Sequence, residues 1–86
     1  MAERTITIKN PSGLHARPAS MVVEFVRNYP GSVEIAGNGR SADLKSILMV
    51  LAMGLKKDSE ITIRVSGENE EEFLESLCFF IEGLES

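Results

Sequence analysis

Apolar residues along this chain recur with a period of two in some segments and of three to four in others, and that switching leaves few architectures open. Arg4 to Lys9 sets Thr5 and Thr7 against Ile6 and Ile8, the pattern of a half-buried strand, until Asn10-Pro11-Ser12-Gly13 breaks it. From Ala16 the apolar positions are Ala19, Val22, Val23 and Val26, with Arg17, Ser20, Glu24 and Arg27 forming a polar stripe. This predicts a helix closed by Tyr29-Pro30-Gly31. Val33 and Ile35 then alternate with Ser32 and Glu34. Gly37-Asn38-Gly39 supplies residues tolerant of positive φ, so Arg40 to Asp43 is expected to return as a partner strand.

Ser46 is a good N-cap for the run Ile47 to Met53, and Gly54 sits where a helix can stop. If Val50 and Met53 point to the core, Ile47, Leu48, Leu51 and Ala52 lie on a different face and are left at least partly exposed. A turn at Lys56-Lys57-Asp58-Ser59 leads to Ile61, Ile63 and Val65, alternating with Thr62 and Arg64. Asn69 is expected to cap a last helix with Glu72 completing a capping box, and Phe73, Leu74, Leu77, Cys78, Ile81 and Leu84 form its apolar stripe. The order β-α-β-β-α-β-α, with strands that each keep one wet face, predicts an α+β fold: a four-stranded antiparallel sheet covered on one side by three helices.

At 86 residues with 43% apolar side chains, one small core and a single domain over residues 1–86 are expected. No apolar run reaches the roughly 18 residues of a membrane span, and the first ten residues do not read as a secretory leader, so the cytoplasm is the expected compartment. One cysteine, Cys78, and one histidine, His15, give neither an internal disulfide nor a zinc set, so no metal or cofactor is expected.

The net charge of −4 argues against nucleic acid as a partner. It conceals a split. Residues 1–57 hold four acids against eight bases, a balance of +4, whereas residues 58–86 hold nine acids and only Arg64, a balance of −8. The first part can attract an acidic protein or a phosphate locally.

His15 falls where a loop gives way to the first helix. The opening amides of a helix lack internal partners and carry the positive end of its dipole, so a phosphoryl group there meets ready donors. Pro18 costs little in a first turn, and Arg17 adds a permanent cation two residues away. An ordinary imidazole is substantially neutral at cellular pH and keeps a lone pair able to attack phosphorus. The competing reading is a capping or solvated loop histidine. Metal binding lacks further ligands, and nothing marks a Ser-His-Asp triad.

Gly13-Leu14-His15-Ala16-Arg17-Pro18-Ala19, with Lys45-Ser46-Ile47 some thirty residues later, strongly resembles HPr, the histidine-containing phosphocarrier family of the phosphoenolpyruvate-dependent sugar phosphotransferase system. The resemblance spans the chain and implies an open-faced β-sandwich. It implies that His15 accepts a phosphoryl group on Nδ1 from phosphorylated enzyme I and passes it to enzyme II A domains, with Arg17 stabilising the charge. Ile47, Leu48, Leu51 and Ala52 match the family's docking patch, with Ala16, Ser20, Arg27 and Met49 at its border. In many members with the Lys-Ser-Ile context the serine, here Ser46, is a target of HPr kinase/phosphorylase in carbon catabolite control. Phosphate there is expected to inhibit docking by electrostatics. Glu24 departs from the family, replacing a lysine found in several members at the edge of the docking surface, and the second helix is richer in large aliphatics.

The first reading is therefore a monomeric phosphoryl carrier for sugar uptake rather than a turnover enzyme. The alternatives are a regulatory binding module of the same fold, either a nitrogen-branch paralogue or a phospho-Ser46 effector of a transcription factor, and an interaction domain in which His15 has no chemistry.

Overall fold

A two-residue turn organises the middle of the chain. The structure, a computed structural model, describes residues 1–85. In it β2 (Ser32–Gly37) and β3 (Arg40–Asp43) pair antiparallel, with Gly37 opposite Arg40 and only Asn38 and Gly39 between them. Both turn residues have positive φ, 52° and 73°. That backbone matches the right-handed twist of the flanking strands, which is why an Asn-Gly pair closes a hairpin so tightly.

β4 (Glu60–Ser66) then lies between β2 and β1 (Ala2–Thr7), giving the antiparallel order β1-β4-β2-β3. The strand alternation expected over Arg4 to Lys9 is displaced: the ladder runs from Ala2 to Thr7, because Thr7 faces Glu60, where its partner begins. Ile8 instead exchanges bonds with the preceding turn, donating to the Ser59 carbonyl and accepting from the Asp58 amide. Ile6, Val33, Ile35, Ile61, Ile63 and Val65 are buried towards the helices. On the opposite face the register places Arg64 between Glu3 and Glu34, and its guanidinium donates to both carboxylates at 2.8 and 2.9 Å. Those hydrogen bonds raise the Arg64 pKa further above its already high ordinary value. Such exposed pairs are screened by solvent and add little to stability.

The helices α1 (Ala16–Val26), α2 (Ile47–Ala52) and α3 (Glu70–Glu82) cover the apolar face. Ala19, Val22, Val23 and Val26 of α1 meet Leu74, Leu77, Cys78 and Ile81 of α3 in one core. Cys78 is buried, and desolvation pushes its thiol pKa up. Phe73 and Leu84, placed on the same stripe by their spacing, are only half-buried. Phe25 stacks on Phe80 at 4.7 Å between centroids and lies 5.8 Å from Phe73, while Tyr29, further along the chain, stacks on Phe73 at 4.2 Å. Advancing along α1 thus approaches the start of α3, and the two helices run in opposite directions.

The capping box expected at α3 does not form. Asn69 adopts left-handed backbone with φ of 51° and its side chain makes no cap bond. A capping box requires an extended N-cap whose side chain turns back over the first helical amides. Here the end of the loop is held instead by Glu70, whose Oε1 accepts from the Gly67 amide at 3.1 Å.

Candidate functional site

The segment leading into α1 is pinned from two sides. Asn10 is 2% exposed; its Nδ2 donates to the Gly13 carbonyl at 2.7 Å, and its own carbonyl accepts from the Gly13 amide at 3.1 Å. Leu14 is buried and donates through its amide to the Leu55 carbonyl at 3.0 Å. Gly13 makes this approach possible. Its φ is +64°, and a Cβ there would overlap the Leu55 carbonyl oxygen and come within 2.6 Å of Lys56 Cα.

With the preceding residue fixed, His15 becomes the N-cap of α1 in extended backbone, and its side chain makes no capping hydrogen bond. The residue is exposed. Its carbonyl accepts from the Ala19 amide at 2.9 Å, the first bond of the helix. The amides of Ala16 and Arg17 come before that bond and have no partner inside the helix, and Pro18 has no N–H at all. The opening of α1 therefore offers an incoming anion two amides, those of Ala16 and Arg17, beside an uncommitted imidazole. Arg17 is exposed and its side chain lines the groove that α1 forms with α3.

α2 presents a second surface. Val50 and Met53 are buried at 0% and 5%, whereas Leu48 is 77% exposed, Met49 47% and Leu51 37%. Ala52 is exposed and Ile47 half-buried, so the division of faces read from spacing is the one observed. Ser46 caps α2 as expected: its backbone is extended and its Oγ accepts from the Met49 amide at 3.3 Å. α2 packs on α1, where Ala16, Ser20 and Arg27 are exposed. Glu24 pairs with Arg27 at 3.1 Å and so ties up a cation at the border of this surface.

Four supporting residues escaped sequence reasoning. Lys45 donates from Nζ to the carbonyls of Tyr29 and Gly31, at 2.6 and 2.9 Å, stitching the start of α2 to the end of α1. Asn38 donates to the Met53 and Gly54 carbonyls and Arg40 to that of Ala52, which holds the end of α2 against the hairpin. Asn10 reads locally as a strand breaker, and only the structure shows it gripping Gly13. Each of these bonds except that of Asn10 joins residues at least twelve positions apart, beyond the reach of a local pattern.

The family model described as "PTS HPr component phosphorylation site" matches residues 2–83. The chain belongs to the HPr family. A phosphocarrier protein HPr of Lysinibacillus sphaericus is 38% identical over 78 residues, covering 91% of this chain and 89% of the relative. Among solved structures, an HPr of Thermoanaerobacter tengcongensis superposes over the full length of both chains with a TM-score of 0.90 at 30% identity. A phosphocarrier protein HPr of Bacillus anthracis gives 0.88 at 28% identity, over 93% of this chain and 95% of the other. The open sheet under three helices is thus the HPr fold, and the general assignment is a phosphocarrier of the phosphotransferase system.

Proposed function

We propose that this HPr-family protein carries a phosphoryl group on His15, taking it from phosphorylated enzyme I and giving it to enzyme II A domains for sugar uptake. The observation that carries the reading is the exposed His15 imidazole at the mouth of α1, free of any capping bond, beside the Ala16 and Arg17 amides. In the first transfer the imidazole lone pair forms a bond to phosphorus while the bond from phosphorus to the donor breaks, and the donor keeps that electron pair. Charge spreads over the three equatorial oxygens as phosphorus passes between the groups. The two amides, the helix dipole and the Arg17 guanidinium stabilise that charge. The second transfer is the same displacement with the imidazole as leaving group. Exposure is essential to both, because each partner must reach the same phosphorus in turn.

The exposed face of α2, bordered by Ala16, Ser20 and Arg27, is the docking surface for both partners. A modest apolar patch suits complexes that must form and dissociate quickly. Ser46 is its regulatory switch, phosphorylated by HPr kinase/phosphorylase: about −1.5 to −2 charges at the head of α2 repel an acidic partner. The protein acts as a monomer in the cytoplasm.

Incubation with radiolabelled phosphoenolpyruvate and enzyme I tests the central step. Label is expected on the wild type, lost in acid as a phosphoramidate is, and absent from His15→Ala. Acid-stable label, or label on His15→Ala, would sink it. Label surviving acid, formed from ATP by the kinase and absent from Ser46→Ala, tests the switch. Transfer onward to a sugar-specific A domain separates sugar uptake from service in a nitrogen-type regulatory branch.

A further inference from the structure

The molecule carries a second apolar surface, away from α2. α1 and α3 enclose an open groove of about 1010 Å³, walled by Met21 and Phe25 on one side and by Phe79 and Phe80 on the other. Phe79 is 81% exposed, the most exposed of the large hydrophobic residues described. A phenyl ring left in water on a rigid helix, next to further apolar side chains, is the signature of a surface that is covered when the protein works.

Charge identifies what covers it. Glu75 and Glu85 line the groove with Phe79, and Glu82, three residues beyond Phe79, shares its helical face. α3 contains no basic residue. A second copy of this chain would bring the same carboxylates against these, and like charges across an interface repel. An acidic segment is disfavoured for the same reason. The shape is that of a trough between two antiparallel helices, which a third helix fills by laying its ridge of side chains into the gap. Arg17 closes the end nearest the start of α1, so the occupant's cations belong over the α3 side.

We infer that the α1–α3 groove is a docking site for a basic amphipathic helix of a partner protein, with apolar side chains seated among Met21, Phe25, Phe79 and Phe80 and cations over Glu75, Glu82 and Glu85. This site stands apart from the exposed α2 face and does not depend on the chemistry of His15. The two surfaces differ in charge as well as place: the α2 side is bordered by Arg40, Lys45 and the Glu24-paired Arg27, and the groove by Glu75 and Glu85 with Arg17 at one end. One small protein can then be held by a cationic helix while its other face remains open to acidic partners.

The probe is an amidated helical peptide of about fourteen residues, the length that spans α3, with leucines at helical spacing and lysines elsewhere; its counterpart carries glutamates for lysines. Titrated into the full-length, isotope-labelled protein, the lysine peptide is expected to shift amide resonances of Met21, Phe25, Glu75 and Phe79 saturably, and to weaken with added salt. Phe79→Ser should weaken binding at least tenfold, as should Glu75→Lys combined with Glu82→Lys, while Leu48→Ser leaves it unchanged. These exposed substitutions are checked against the wild-type melting temperature, and the charge reversal serves if the phenylalanine change disturbs the helix. The inference is overturned if the lysine peptide does not bind, if the glutamate peptide binds as tightly, if the shifts fall on α2, or if Phe79→Ser binds like wild type. Sedimentation showing a Phe79-dependent dimer would also overturn it, in favour of a second copy.

Discussion

Arg40 Nη1 donates to the carbonyl of Ala52 at 3.1 Å, so a side chain from the hairpin closes the last turn of the helix that carries the exposed leucines. A helix of six residues cannot hold itself together, and its final carbonyls have no partners within it. Arg40 and Asn38 supply them, and the guanidinium also places a positive charge at the negative end of the dipole. Arg40→Ala is therefore expected to cost only about 0.5–1 kcal/mol in a urea titration, as an exposed hydrogen bond does. Hydrogen exchange should show more: the amides of Met53 and Gly54 should lose protection while those of β4 keep theirs.

At Gly13 no such local give exists. Replacing it with alanine demands left-handed backbone of a residue with a Cβ, and drives that Cβ into the backbone at Leu55 and Lys56. The obstacle is main chain, which cannot rotate aside. Strain of this kind and overpacking each cost about 1–3 kcal/mol, so Gly13→Ala should lose about 2–6 kcal/mol in thermal or urea unfolding. His15 follows two residues later, so phosphorylation by enzyme I should slow beyond what the unfolded fraction explains.

Much of this architecture was readable from local patterns, and the parts that were not share a cause. Asn38-Gly39 dictates its turn because two adjacent residues tolerate positive φ. The exposed face of α2 followed from placing Val50 and Met53 inside, after which Leu48 and Leu51 had nowhere to hide. Asn69 failed the same logic because its backbone answers to the loop before it and to Glu70, not to the helix that follows. Lys45 looks like a surface lysine until the fold delivers the Tyr29 and Gly31 carbonyls to it. Phe79 lies between Leu77 and Ile81 in sequence but off their stripe, so a reading that collects the buried face passes over the residue left outside.

Leu48 separates binding from stability. At 77% exposure it contributes little to the core, so Leu48→Glu should leave the melting temperature within error of wild type. On the proposed docking face it should nonetheless raise the KM for this protein in enzyme I phosphotransfer at least tenfold with little change in kcat, the signature of lost encounter rather than damaged chemistry. Equal KM values for the two proteins would remove α2 from the interface.

Glu70 sets an acid limit on the fold. Its carboxyl is held below the ordinary 4.5, first by its hydrogen bond with the Met1 ammonium and then by the Gly67 amide, while burial pushes the other way. The ion pair is 2.7 Å long and ties Met1, the residue before β1, to the first turn of α3. A carboxyl whose pKa is lower in the folded chain binds fewer protons there than when unfolded, so stability rises with pH across that interval. The contribution is complete above 4.5 and disappears as pH falls through the lowered value. In Glu70→Gln that part of the dependence should vanish: urea midpoints measured between about pH 6 and about pH 2 should fall less steeply than in the wild type. Salt should flatten the wild-type curve in the same direction, because the pair is only partly shielded from solvent. Parallel curves for the two proteins would show that other carboxylates govern acid unfolding.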